Sequence, residues 1–265
     1  MVSSHPESSK TGMHPLKMPT CCLCGLDKQL IKAHIISRKL YEPIRQASSG
    51  SPPGDQVPRM YAVGTTQKSK QAQNGPHDSN ILCESCDGGV IGPWDNYGRS
   101  LLLNSLQPEN NLPDNTGKSA VYKIDEFDYK KLKLFFMSML WRAAITDHPF
   151  FEHINLGPWE KKLRDMIHSQ DPGMKHDFSV ILFKYEGDFS EIMQNPSRQR
   201  QDGINFYRFR IPRYGFLVKV DQREFHSELH PFILSPNQPL LIRVLEYKSS
   251  KEYEQILDAK DQIPD

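Results

Sequence analysis

The sequence has almost no net charge: 33 basic residues against 32 acidic ones leave a formal charge of +1. Such a chain has no global electrostatic footprint for nucleic acid, so any binding of that kind must rest on a local patch. It also has no apolar run long enough to span a membrane. The first twenty residues are polar, carry Pro6 and Pro15, and lack the apolar core of a secretory signal. Cysteine is scarce, with five in 265 residues. Four of the five stand in metal-type pairs, which points to a reducing compartment rather than a disulfide scaffold. No internal repeat is present. What remains is 37% hydrophobic and 25% charged, an ordinary globular composition with length for one large or two small domains. The expected location is the cytoplasm, with no membrane partner.

The chain is organised around two C-x-x-C units, Cys21–Cys24 and Cys83–Cys86. Each makes a tight knuckle that aims two sulfurs at one ion, and a tetrahedral zinc needs two such knuckles. Cys21, Cys24, Cys83 and Cys86 are therefore the expected ligands of one structural Zn²⁺. Cys22 is left out, because single-residue spacing strains a knuckle. The 58 residues from 25 to 82 make a long gap that requires an insertion. Residues 47–79, rich in Ser, Gly, Pro and Gln and without periodicity, supply it as a surface loop.

The periodicities predict an α+β protein. Residues 1–18 read as a mobile tail and 19–106 as the zinc module, with a short hairpin over 19–36 and Ser37 capping a helical turn. The second knuckle opens a helix that Gly88-Gly89 and Gly92-Pro93 keep short, followed by a helix from Pro93 to about Leu106. After a polar break at 107–118, residues 119–265 form an α+β domain that binds substrate or partner. It has helices over 128–146 and from Pro158 to about Ile167, then strands at 178–185, 204–211, 214–220 and 240–247. A last amphipathic stretch covers 251–257. Apolar residues wrap most of the 128–146 helix, which predicts burial on several sides.

The stretches Cys21–Cys24, His34-Ile35-Ile36, Asn80 and Leu82–Asp87 together resemble the HNH (treble-clef, ββα-metal) endonuclease superfamily in its four-cysteine, zinc-stapled form. The resemblance covers about residues 19–106. It implies metal-dependent cleavage of phosphodiester bonds, with DNA ahead of RNA as substrate. It also implies a setting in bacterial anti-phage defence, often beside an ATPase subunit. Carried over, His34 is the general base, Asn80 orients the base or its loop, and Asp87 is a ligand of a catalytic Mg²⁺ or Mn²⁺. Such a metal polarises the scissile phosphate while the histidine takes a proton from water. The sequence departs from the family at Ala33, where an acidic residue or second histidine is usual, and at Ser37, where proline is usual. Asn80 also lies closer to the cysteines than in many relatives. Asp95, in Trp94-Asp95-Asn96-Tyr97, is the candidate to replace the missing ligand.

The remaining histidines offer less. His77-Asp78 precedes the second knuckle closely enough to approach a metal, but reads as solvated loop. His148, His153, His226 and His230 are assigned no ligand role. In the run from Arg198 to Tyr214, strand spacing puts Phe206, Arg208 and Arg210 on one face. With Arg213, that strip is the candidate nucleic-acid contact, against the plainer reading of a solvated sheet face. The competing functional readings are a zinc-stapled module without catalysis that binds nucleic acid or protein, and an adaptor subunit.

Overall fold

The computed structural model describes residues 18–40, 59–62, 70–71, 75–187, 193–246, 248 and 254. The tail before Met18, most of the 47–79 insertion, and the 251–257 stretch apart from Glu254 lie outside them.

The first knuckle turns over at Cys22–Cys24 and is closed by a bridge between Thr20 and Asp27. The chain continues into β1 (Leu30–His34), a 3₁₀ turn (Arg38–Leu40), β2 (Arg59–Tyr61), β3 (Lys70–Gln71) and β4 (His77–Cys83). The hairpin expected within 19–36 is confined to the turn-back that pairs Thr20 with Asp27, and β1 finds its partner at long range. β1 runs antiparallel to β4, with Leu30 opposite Cys83 and His34 opposite His77. One short ladder therefore sets both the metal knuckles and the histidines.

The second knuckle opens a π-helical segment (Ser85–Ile91) that runs directly into helix α1 (Gly92–Asn104). The glycines and proline do not break it. Pro93 sits in the first turn of α1, where a missing N–H costs nothing, and the wide π turn lets the Gly92 N–H reach the Asp87 carbonyl. β5 (Asn111–Pro113) and β6 (Ser119–Ile124) follow, partly within the stretch expected to be a polar break. Helix α2 (Tyr129–Ile145) begins where the Asp128 carboxylate accepts the Lys131 N–H at 2.9 Å. Helix α3 (Trp159–His168) matches its expected span. Strands β7 (Val180–Glu186), β8 (Met193–Gln201), β9 (Ile204–Ile211), β10 (Tyr214–Lys219) and β11 (Leu240–Glu246) complete the α+β fold.

Among the described residues, nine strands form one mixed sheet in the order β3-β2-β8-β9-β10-β7-β11-β6-β5. β9 and β10 form the expected hairpin, with Arg213 taking a left-handed φ of 64° at the turn. β2 comes from the insertion and joins β8 in parallel, so the excursion between the two knuckles reaches the far sheet. β8 had no hydrophobic signal: its sequence is MQNPSRQRQ. The register shift between Gln194 and Ser197 accommodates Pro196, which has no N–H to offer the ladder.

α2 lies against one sheet face, where Phe136 meets Phe216 at 4.7 Å and Phe216 stacks on Phe209 at 4.6 Å. Burying such side chains contributes roughly 1.5–3 kcal/mol each. Gly98 of α1 makes the α1–α2 crossing possible, since a Cβ there would lie 2.4 Å from the Phe135 ring. The opposite face holds a second cluster of Ile181, Phe183, Phe206 and Leu217, covered by Phe225 and the 3₁₀ segment Ser227–Phe232. No helix among the described residues is long and apolar enough to cross a membrane.

Burial of α2 also encloses Lys133, whose Nζ donates to Tyr129 Oη at 3.0 Å and to the Met174 carbonyl. Burial pushes its ammonium down to about 7, against the opposing pull of Asp177 and Asp171. Below pH 7 the folded and unfolded chains both hold this proton, and the penalty of a buried charge is fully present. Between about pH 7 and 10 only the unfolded chain holds it, so stability rises through that window. The urea midpoint of the wild type should therefore increase from pH 6 to pH 9. Lys133→Met should flatten that rise and be more stable at pH 6 by on the order of 1–3 kcal/mol. An unchanged slope in the variant would remove Lys133 as its source.

Candidate functional site

Cys21, Cys24, Cys83 and Cys86 converge, with all four Sγ atoms within 4.8 Å of one another. Cys24 and Cys83 approach to 4.0 Å. A tetrahedral zinc with bonds of about 2.3 Å requires sulfur separations of about 3.8 Å, so modest contraction completes the shell. Gly25, at φ 72°, closes the first knuckle by donating its N–H to the Cys21 carbonyl at 2.8 Å. The Cys83 N–H points at Cys21 Sγ at 3.4 Å, a donor suited to a thiolate. Burial acts to raise the Cys83 thiol, yet hydrogen bonds from Ser85 and the neighbouring cysteines outweigh it and bring it down to about 6. Cys22 stands outside the tetrad, and burial raises its thiol. The four thiols are placed to hold one metal ion, and an all-sulfur set suits zinc.

The knuckle is also held from behind. Arg164 of α3 donates from Nε to the Cys22 carbonyl at 2.6 Å and from Nη2 to the Leu23 carbonyl at 2.7 Å.

A second group of polar residues lies at the other end of the β1–β4 ladder. His34, half-buried, faces His77 with ring centroids 6.2 Å apart. The carbonyl of His34 accepts from Arg142 Nη1 at 2.7 Å. Arg142 is 1% exposed and also grips Asp95 through both nitrogens, at 3.0 and 3.3 Å. Asp87 is half-buried in the first turn of the helix that follows β4. Burial raises its carboxyl despite the nearby Arg142 cation, and Asp95 adds to the rise. Beside the histidines, Asp78 Oδ2 accepts the Thr146 hydroxyl at 2.6 Å.

The sequence-predicted residues thus meet different fates. His34, Asp87 and Asp95 are brought around one buried guanidinium. Both oxygens of Asp95, the candidate replacement ligand, already accept from Arg142. Asn80 is exposed on β4, where its N–H donates to Asp78 Oδ1 at 2.8 Å. Ala33 is fully buried and lies opposite Asp78 in the ladder. Among the described residues, the cysteine tetrad is the one group of three or more metal-type side chains that converges. Sequence reasoning overlooked Arg142, although it is the one charged residue in the apolar stretch from Leu134 to Ile145 and so carried a signal. It also read His77-Asp78 as loop, whereas both belong to β4.

Of the three arginines expected at nucleic acid, Arg208 and Arg210 meet at Tyr185 and Arg213 stands apart. Arg213 is exposed at the β9–β10 turn. Arg208 is half-buried and donates to Tyr185 Oη at 2.9 Å. Arg210 is 2% exposed, lies 3.8 Å over the Tyr185 ring, and donates to the Ile211 and Tyr214 carbonyls. Comparison of the chain with family models, with curated proteins and with solved structures found no match.

Proposed function

We propose that the chain is a zinc-stapled, HNH-like endonuclease that hydrolyses phosphodiester bonds in nucleic acid, with DNA ahead of RNA. The observation that carries this reading is the placement of His34. It sits half-buried at the end of a two-stranded ladder whose other end carries the cysteine tetrad. The helix that completes the ββα arrangement carries Asp87 in its first turns. His34 would take the proton of the attacking water, and the Arg142 grip on its carbonyl fixes the strand end from which it works. Asp87 is the residue left to hold a Mg²⁺ or Mn²⁺, which as a Lewis acid would polarise the phosphate when bound. Magnesium sites commonly use one or two carboxylates, with water and substrate phosphate completing the shell, so a single free carboxylate suits a substrate-assembled site.

The test is incubation of plasmid, single-stranded DNA and RNA with the purified protein in Mg²⁺ or Mn²⁺. Wild-type cleavage should fall by about 10²–10⁴ in His34→Ala, with zinc content and melting unchanged. Equal cleavage by both proteins would reject His34 as the base. A second reading, a binding module without catalysis, is favoured by Ala33 and by the lack of a converged three-ligand set outside the cysteines among the described residues. It predicts salt-sensitive affinity without cleavage. The wider setting, anti-phage defence beside an ATPase subunit, rests on the family resemblance and would be tested by co-purification.

A further inference from the structure

The sheet face turned away from α2 carries a cavity of about 550 Å³. It lies between strands β7 to β11 and the segment around Phe225–Leu229. Its floor is aromatic and aliphatic: Phe183, Phe206 and Leu217 are each at least nine-tenths buried, and Phe225 stands edge-on to Phe206 at 6.0 Å. Two cations line it. The Arg208 guanidinium lies 5.6 Å from the Phe183 centroid, and that of Arg243, on β11, lies 5.6 Å from the Phe232 centroid.

The rest of the lining is polar in a specific way. Gln199 and Gln201 project from β8, opposite Phe206 and Ile204 in register. Asp202 and Glu228 are exposed at the rim, where Asp202 pairs with His226 at 3.3 Å. A fatty acid would match the floor and the arginines but leave the amides and carboxylates unmatched. A nucleoside phosphate engages every class of group. Its base stacks on the phenylalanine floor, and its phosphate meets guanidinium. Its ribose hydroxyls and ring amino groups supply donors for the carboxylates and amides.

We infer that this cavity binds a nucleoside phosphate, either as a free nucleotide or as the 5′-terminal unit of a strand. The site is separate from the His34 group and does not depend on cleavage.

The experiment is calorimetric titration of the full-length protein without divalent metal, using the four ribonucleoside mono- and triphosphates and 5′-phosphorylated dinucleotides. Laurate and inorganic phosphate serve as comparators. Saturable binding of at least one nucleoside phosphate is expected. It should weaken roughly tenfold or more in Arg243→Ala, an exposed position whose loss leaves melting unchanged, and again in Leu217→Trp, which fills the cavity. His34→Ala should bind as the wild type does, which separates this result from the fate of the nuclease proposal. Binding of free nucleotides alone, or also of dinucleotides, identifies the source and supports the pocket in either case. The inference is overturned if no nucleoside phosphate binds at about 1 mM. Binding of laurate alone, or affinity that neither variant changes, would overturn it equally.

Discussion

Replacing Cys86 by serine should abolish cooperative folding around the knuckles and leave the protein without its metal. Serine is close to isosteric but offers no thiolate, so three ligands remain where the tetrahedron needs four. Structural zinc contributes on the order of 10–16 kcal/mol in small metal-folded peptides. That compares with a total of about 5–15 kcal/mol for a typical domain. Even a partial loss is therefore decisive, and Cys21→Ser should behave alike. Cys22→Ser is the control: its sulfur lies outside the tetrad, and the change should stay within about 0.5 kcal/mol. Metal analysis with thermal melting reads the outcome. A Cys86→Ser protein that kept one zinc per chain and melted like the wild type would refute the site. So would a wild type that melts identically with and without a strong chelator.

The second large effect belongs to Arg142. Its guanidinium is almost fully enclosed, and its ion pair with Asp95 lies mostly out of water, with side-chain exposures of 1% and 17%. Arg142→Met removes the cation but leaves a buried carboxylate and the His34 carbonyl without their donor, which costs about 3–5 kcal/mol. Removing both charges should cost less. In Arg142→Met/Asp95→Leu the uncompensated charge is gone, so the double variant should be more stable than the single one by 1 kcal/mol or more. Urea midpoints of the four proteins in the cycle provide the measurement. Simple additivity would show that the pair is not coupled, and a single-variant loss under about 1 kcal/mol would show that water already reaches it.

What the sequence made legible follows from the range of the forces involved. The cysteine tetrad was readable because C-x-x-C geometry is local, and one ion accepts only two such units. Helix α2 and strands β9, β10 and β11 were readable because burial writes itself into periodicity. β8 was not, since a strand flanked on both sides by backbone partners can be polar along much of its length. β2 and β3 were invisible inside the insertion for the same reason: a few residues of pairing leave no pattern. The His34 group was half legible. His34, Asp87 and Asp95 stand near motif positions, but the opposition of His34 to His77 depends on a strand register that closes across the insertion. The grip of Arg142 on His34 joins residues 108 apart in the chain. No local rule encodes such a contact.

The clamp of Arg164 on the first knuckle spans 142 residues. On the ribosome this separation becomes time. At about 5–20 residues per second, α3 emerges roughly 7–30 s after the knuckle it braces. The second cysteine pair follows the first after only 59 residues, so the thiols can load metal while α2 and α3 are still unmade. In the newborn chain, all four thiols are made before either of the two arginines. A nascent protein thus passes through an interval in which its knuckles can close while the strand end bearing His34 still lacks its brace.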